Sequence, residues 1–156
     1  MRAFILIILG GLLFASPLPA QDAQSRLWDA AMAGDTLAIR QALADGADVD
    51  ALDTRTNRNG RRALNWAAWF DRVPAIEALL AAGATLEAEN NTGFSPLHHA
   101  AEAGSIGAAR ALLDAGADPG HANKVGRLPI ETARERGNDE VAAMLVQAAS
   151  EKPAER

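Results

Sequence analysis

The chain of 156 residues contains no cysteine, and aromatic residues make up 4% of it. Without cysteine there is no disulfide, no thiolate metal ligand, no cysteine nucleophile and no lipid-modified cysteine. The folded domain must therefore be stabilised by packing alone. Its length is sufficient for one domain.

Basic residues are in the minority, with 15 Lys and Arg against 20 Asp and Glu, a net charge of −5. This balance argues against a nucleic-acid partner and against binding to an anionic membrane surface. The sequence also contains neither a phosphate-cradling glycine loop nor a nucleophile elbow. It therefore predicts no enzymatic activity and no cofactor.

Residues 1–20 are typical of a secretory signal peptide. The chain starts with Met1-Arg2, residues 3–14 carry no polar side chain, and small residues and helix breakers follow before Gln21. The apolar run is too short for a confident membrane span and has no stop-transfer flank. We expect export, with an uncleaved N-terminal anchor as the alternative.

Cleavage near Ala20 would leave a domain over residues 21–150 and a disordered tail over residues 151–156. The alanine-rich, cysteine-free composition of this exported domain favours a bacterial periplasm over a eukaryotic secretory route. We therefore expect a periplasmic or secreted protein with no stable membrane insertion after cleavage.

An internal repeat determines the fold class. Gly60, Gly93 and Gly126 precede matching segments at a constant spacing of 33 residues. In the most regular unit, Ser95-Pro96 begins a short helix that ends at Gly104. A fixed period of about 33 residues with two short helices per unit predicts a stacked solenoid.

A second set of glycines ends the second helix of successive units. Gly46 and Gly83 are 37 residues apart, whereas Gly83 and Gly116 are 33 apart. The connection into the second unit therefore carries four extra residues.

These motifs resemble the ankyrin repeat. Ser95-Pro96-Leu97-His98 stands where that family has Thr-Pro-Leu-His, and Gly46-Ala47-Asp48-Val49-Asp50 is similar to its Gly-Ala-Asp-Val-Asn loop. The resemblance implies an all-α solenoid of about four helix–turn–helix units. The expected helix pairs are Ser25–Ala33 with Thr36–Ala44, Ala63–Phe70 with Pro74–Ala82, the helices ended by Gly104 and Gly116, and Pro129–Arg136 with Asp139–Ala149.

The second unit departs most from the pattern. Arg62 replaces the helix-start motif, and Asp71 stands where other units have glycine, at some conformational cost. The loop before this unit contains four arginines, and Trp66, Trp69 and Phe70 follow it. We therefore expect the second unit to have a role other than ideal packing.

By resemblance, loop tips and first-helix positions line the concave recognition face of ankyrin proteins. The positions that match, and that we predict to bind a protein partner, are Arg58, Asn59, Arg61, Trp69, Phe70, Asn91, Thr92, Phe94, Glu102, Lys124 and Arg127; the same register adds Ala103, Val125, Glu135 and Arg136. Arg and Trp are enriched in binding hot spots. Because arginine pairs with carboxylates, we expect a partner with an acidic patch. Trp66 is expected in the core instead, and a merely solvated arginine loop is the alternative.

The resemblance leaves the biological role open. Some small exported bacterial ankyrin proteins are accessory factors for a periplasmic enzyme, such as those linked to oxidative-stress defence, and others are immunity proteins that inhibit a delivered toxin. A third alternative is a metal-binding or hydrolytic site formed by His98, His99 and Glu102. The resemblance implies a structural role for His98, and no further ligand stands at a recognised metal spacing. His121 is expected on the loop surface.

Overall fold

The computed structural model describes residues 20–55 and 58–151, which form eight α-helices. The helices are α1 (Ala20–Ala33), α2 (Thr36–Ala44), α3 (Ala63–Trp69), α4 (Val73–Ala81), α5 (Pro96–Ala103), α6 (Ile106–Asp114), α7 (Pro129–Glu135) and α8 (Asp139–Glu151). The described residues contain no strand, only an isolated antiparallel bridge between Asp53 and Arg61. The predicted all-α class is confirmed.

Consecutive helices pack as four pairs, α1 with α2 through α7 with α8. The pairs stack in chain order, so that α1, α3, α5 and α7 form one row and α2, α4, α6 and α8 form the other. Each unit contacts its immediate neighbours along the stack, as expected for a solenoid.

The helix bounds agree closely with the expected ones except at the N-terminus. Helix α1 begins at Ala20 rather than Ser25. In the added stretch, Ala23 is fully buried and the Gln24 amide exchanges two hydrogen bonds of 2.8 and 3.0 Å with the backbone of Asp48. Of the predicted signal peptide only Ala20 lies within the described residues. Of the predicted tail only Glu151, the last residue of α8, does.

Aliphatic side chains fill the space between the two rows. The fully buried large ones are Leu27, Ile39, Leu64, Ile76, Leu79, Leu97, Leu112, Val141 and Leu145. Alanines at equivalent positions of successive units, Ala67, Ala100 and Ala133, are also fully buried and let the first helices approach closely. Burial of each leucine side chain stabilises the fold by about 1.5–3 kcal/mol. Because one unit cannot cover its own apolar face, this stabilisation is gained only when the units stack. No helix in the described part of the chain is long and apolar enough to cross a membrane.

Each unit is also held to the previous one by the residue that follows the turn between its helices. This side chain donates to a carbonyl in the last turn of the previous first helix, where carbonyls lack an intrahelical partner. The pairs are Arg72 Nε with Met32 (3.0 Å), Ser105 Oγ with Trp69 (3.0 Å) and Asn138 Nδ2 with Ala101 (2.8 Å). These bonds satisfy helix ends and align neighbouring units.

The turn of the second unit contains a left-handed aspartate. Asp71 has φ of 56°, where the other units place glycine. Its Oδ1 accepts a hydrogen bond from the backbone N–H of Ala108, in the first turn of α6. Gly107 makes room for this contact, since a Cβ there would lie 3.0 Å from the same Oδ1. The strain at Asp71 is therefore offset by a cap on the next unit's helix.

Candidate protein-binding surface

The loop tips are hydrogen bonded to one another along one side of the solenoid. Asn91 donates its backbone N–H to the carbonyl of Asn59 (2.8 Å) and its side-chain amide to the carbonyl of Arg58 (2.7 Å). In the next unit, Lys124 donates its ammonium to the Asn91 carbonyl (2.9 Å) and its backbone N–H to Thr92 (3.4 Å). The predicted tip residues thus form one continuous row, in which all but Thr92 are exposed.

Arg55, in the arginine-rich loop, is structural. It donates to the fully buried carboxylate of Asp53 (2.9 Å) and to Asp29 (2.8 Å), and its guanidinium lies 4.9 Å from the Trp28 ring centroid. Asp53 also accepts from the Trp66 indole N–H (3.1 Å). Burial alone would raise the pKa of Asp53, but hydrogen bonds and charge from Arg55 hold it below its ordinary value. The loop is therefore fastened to the first two units.

Arg62 is structural as well. Its guanidinium donates to the carbonyls of Glu89 (3.0 Å) and Asp50, which lie in the loops on either side of the second unit. Its backbone N–H donates to the Asn65 side chain (2.7 Å), which caps α3. The departure from the family's helix-start motif thus introduces a side chain that joins two loops.

Arg61 lies over the aromatic side chains of α3. Its Cζ is 4.5 Å from the Trp66 ring centroid and 4.3 Å from that of Trp69. Trp66 is buried, which confirms its expected core position, and Phe70 stacks on it at 6.0 Å. Trp69 is half-buried and Phe70 is 40% exposed. We call Arg61, Trp66, Trp69 and Phe70 the aromatic ledge.

The Arg61 guanidinium is half-buried, yet within residues 20–55 and 58–151 it has no hydrogen-bond acceptor. Burial lowers the pKa of Arg61, and the nearby charge of Glu102 opposes that shift. By contrast, Arg127 is paired with Glu135 at 2.9 Å and Arg136 is paired with Glu102. A guanidinium carries five N–H donors, so the aromatic ledge presents unused donor capacity.

The other predicted residues of the third unit have local roles. Thr92 donates its hydroxyl to the Asn90 side chain (2.8 Å), so it stabilises its own turn. Phe94 is half-buried with its ring centroid 5.2 Å from that of His98 and 5.8 Å from that of His99. The structure thus brings Trp69 of the aromatic ledge, Phe94 and Glu102 together around His99, while the tip residues form a separate row.

His98 is structural, as the resemblance implies. The backbone N–H of Ser95 donates to its Nδ1 (3.3 Å), and its Nε2 lies 2.9 Å from the carbonyl of Arg127 in the next loop. A carbonyl only accepts, so Nε2 carries the proton, Nδ1 accepts, and the ring is neutral. Burial lowers the pKa of His98, in agreement with the neutral form.

His99 is buried without a hydrogen-bond partner on either ring nitrogen. Its ring lies edge-on to Trp69 with centroids 6.1 Å apart, and its Nδ1 is 4.0 Å from a Glu102 carboxylate oxygen. Burial, with the positive charge of Arg61, lowers the pKa of His99 to about 3. The same charge disfavours a metal cation beside this ring.

The alternative metal or acid–base site is therefore not assembled by these residues. Both ring nitrogens of His98 are engaged by the backbone, and His99 is enclosed. Among the described residues there is no group of three or more His, Cys, Asp or Glu placed to hold a metal ion.

His121 differs from expectation. It is half-buried rather than on the loop surface, and its Nε2 lies 2.8 Å from the carboxylate of Glu89. The contact joins loops 32 residues apart, which sequence spacing alone did not indicate.

Comparison with known proteins agrees with the stacked helix pairs of the structure. Two models of ankyrin repeats match the chain, one of many copies over residues 27–80 and one of three copies over residues 86–155. The ankyrin repeat domain-containing protein SAT10 of Stachybotrys chartarum is 36% identical over 64 residues. That match covers 41% of this chain but 3% of SAT10, so the chain spans a small part of that relative's length. The repeat matches and the stacked helix pairs together show that the chain belongs to the ankyrin repeat family.

Proposed function

We propose that this chain is an exported binding module that captures an acidic protein partner on its concave face and loop tips, with the aromatic ledge at the centre. Ankyrin repeats indicate a protein–protein interaction module, and the family typically acts as a scaffold without enzymatic activity. The observation that carries the proposal is the half-buried Arg61 guanidinium, which has no acceptor among the described residues.

The ledge is suited to binding because its parts are already ordered. Contacts between Arg61 and the indole rings are each worth about 0.5–2 kcal/mol, depending on burial. They hold the guanidinium in place before a partner arrives, so less side-chain entropy is lost on binding. Trp69 and Phe70 add exposed apolar area beside the charge.

Charge complementarity favours an acidic partner. The chain as a whole is acidic, with a net charge of −5, yet Arg58, Arg61 and Lys124 bring positive charge to the tips and the ledge. A carboxylate can accept two parallel N–H bonds from a guanidinium, which gives directional as well as electrostatic attraction. Hydrogen bonds between neighbouring loops support the tip residues in a fixed row.

Affinity capture from periplasmic extract tests the proposal. The bait proteins are the wild type, the double variant Arg61→Ala with Trp69→Ala, and Arg40→Ala as a control at an exposed position of α2. We expect the double variant to bind the captured protein at least about 30-fold more weakly, as for hot-spot residues, and the control to bind normally. Equal retention of the partner by all three baits would contradict the proposal.

The identity of the captured protein decides between the two roles. An accessory factor is expected to retain a resident periplasmic enzyme, whereas an immunity protein is expected to block a delivered toxin in an inhibition assay. Export is tested separately by mass spectrometry of the protein from the periplasmic fraction. A mature N-terminus near Gln21 is expected, and an intact Met1 in the cytoplasmic fraction would contradict export.

A further inference from the structure

Glu102 lies between two arginines of the proposed binding face. One of its carboxylate oxygens accepts a hydrogen bond from Arg136, and the other lies 4.0 Å from His99 Nδ1. The Glu102 side chain is 16% exposed, whereas that of Arg136 is 58% exposed. A solvent-exposed arginine of the fourth unit therefore holds an enclosed carboxylate of the third.

The same carboxylate is close to the aromatic ledge. His99 packs edge-on against Trp69, and the Arg61 guanidinium lies over that same indole ring. Burial lowers the pKa of Arg61, and the charge of Glu102 opposes that shift. The two side chains therefore interact electrostatically. Glu102 is the acidic side chain whose charge acts on the Arg61 guanidinium, although the described residues show no hydrogen bond or ion pair between the two.

His99 cannot hold Glu102 in place by charge. Its pKa of about 3 makes the ring neutral near pH 7, and neither ring nitrogen has a hydrogen-bond partner. Arg136 is the residue whose side chain donates a hydrogen bond to the Glu102 carboxylate. If this bond were lost, the remaining cation near Glu102 would be Arg61.

We propose that Arg136 is a positioning residue that keeps Glu102 away from Arg61, and so leaves Arg61 open to a partner carboxylate. Glu102 is then an internal competitor for the partner rather than a direct contact. This inference rests on the proposed function, because it assigns the regulation of the same site.

The inference predicts opposite effects for two substitutions. Glu102→Gln removes the competitor, so carboxylate binding at Arg61 tightens. Arg136→Ala releases the competitor, so binding weakens. Because the Arg136 side of the pair is 58% exposed, the pair is a weak interaction, and each change in affinity is expected to be about twofold to fivefold. In the double variant Glu102→Gln with Arg136→Ala, the affinity of Arg61 for a carboxylate should equal that of Glu102→Gln alone. The reason is that position 102 then carries no carboxylate for Arg136 to hold.

Sodium acetate provides the probe, and the Nε–Hε resonance of Arg61 in ¹⁵N NMR provides the readout. The titration is run against sodium chloride at the same ionic strength, about 0.15 M, to suppress long-range charge effects. Arg136→Lys retains the positive charge and is expected to recover part of the wild-type affinity. Circular dichroism checks that each variant is folded.

Each result separates the inference from the proposed function. If Arg136→Ala weakens acetate binding equally in the presence and absence of Glu102, then Arg136 contacts the probe directly and the inference fails. If acetate shifts the Arg61 resonance in the wild type but neither single substitution changes the affinity, the inference also fails and the proposed site stands. If acetate shifts Arg61 no more than chloride in every variant, both are overturned.

Discussion

Asp71 in the turn of the second unit accepts a hydrogen bond from the backbone N–H of Ala108 in the third, with 2.6 Å between oxygen and nitrogen. Ser105, at the N-cap of α6, does not cap that helix with its side chain and instead donates its hydroxyl to the Trp69 carbonyl. In the first unit, Asp35 caps its own α2 through Leu37 and Ala38. Asp71 therefore supplies from the neighbouring unit a cap that α6 lacks locally.

Substitutions at Asp71 should separate the cap from the backbone conformation. Asp71→Ala removes the carboxylate and places alanine in the left-handed region, so we expect a loss of about 2 kcal/mol in the free energy of unfolding. Asp71→Gly loses the same cap but relieves the strain, so its loss should stay below about 1 kcal/mol. Urea unfolding monitored by circular dichroism measures both. Equal losses would show that the left-handed backbone carries no cost.

His99→Leu is expected to stabilise the fold. The imidazole is buried with no partner on either nitrogen, and an unsatisfied buried polar group costs about 1–3 kcal/mol. Leucine is similar in size and has no polar group to desolvate. We expect the free energy of unfolding at pH 7 to rise by about 1 kcal/mol or more. A decrease would show that the contacts of the imidazole with Trp69, Phe94 and Glu102 outweigh the cost of its unpaired nitrogens.

The same substitution should change the pH dependence of stability. The pKa of His99 is lowered from 6.5 to about 3 in the folded state, so on acidification the unfolded chain binds a proton first. The stability associated with the neutral ring is therefore fully present above about pH 6.5 and is lost progressively as the pH falls towards 3. Thermal unfolding at pH 7, 6, 5 and 4 should show a smaller decline in Tm for His99→Leu than for the wild type. His98 adds a loss in the same direction to both proteins, because its pKa is lowered too. Parallel declines would contradict the assignment.

Asp53 should contribute far more to stability than Asp29, although both contact Arg55. Asp53 is fully buried and accepts from the backbone N–H and the guanidinium of Arg55 and from the Trp66 indole, so Asp53→Ala removes the acceptor of all these donors. We expect a loss of about 2–3 kcal/mol. Asp29→Ala breaks an exposed ion pair and should cost less than about 1 kcal/mol. Chemical denaturation of the two variants makes the comparison, and similar losses would show that the buried bonds are weak.

The tryptophans of α3 should behave differently. Trp66 is buried, so Trp66→Ala is expected to cost about 3–5 kcal/mol. Trp69 is half-buried on the aromatic ledge, and Trp69→Ala combined with Arg61→Ala should lower the Tm less than Trp66→Ala does. Differential scanning calorimetry tests both. A large drop in Tm for the Trp69 and Arg61 variant would show the ledge to be structural.

Prediction from sequence was strongest where the fold repeats. The glycine period and the Ser95-Pro96 motif located most helices within two residues, because turns and caps are local chemistry. The main miss was the start of α1, at Ala20 rather than Ser25; the contact of Gln24 with the distant Asp48 in that stretch is one that local signals do not show. The candidate site was harder to predict, because its side chains take partners from neighbouring units.

Arg55, Arg58, Arg61 and Arg62 show this limit. In the sequence they are similar members of one loop, and it is the family register rather than their own chemistry that predicts Arg58 and Arg61, but not Arg55 and Arg62, to bind a partner. In the structure Arg55 and Arg62 are bonded within the chain, Arg58 is exposed at a loop tip, and Arg61 lies on two indole rings. The hydrogen-bond acceptor of a long, flexible side chain depends on which groups the fold places within its reach.

By itself, the sequence determined the repeat length, the all-α class, the stacking of four units and the position of the irregular second unit. These follow from apolar spacing, turn residues and caps, which act over a few residues. Only the tertiary structure decided which charged side chains are bonded internally and that His99 is enclosed beside Glu102. Those properties depend in large part on contacts between neighbouring units, such as Trp69 with His99 and Arg136 with Glu102, and stacking of the units creates these contacts.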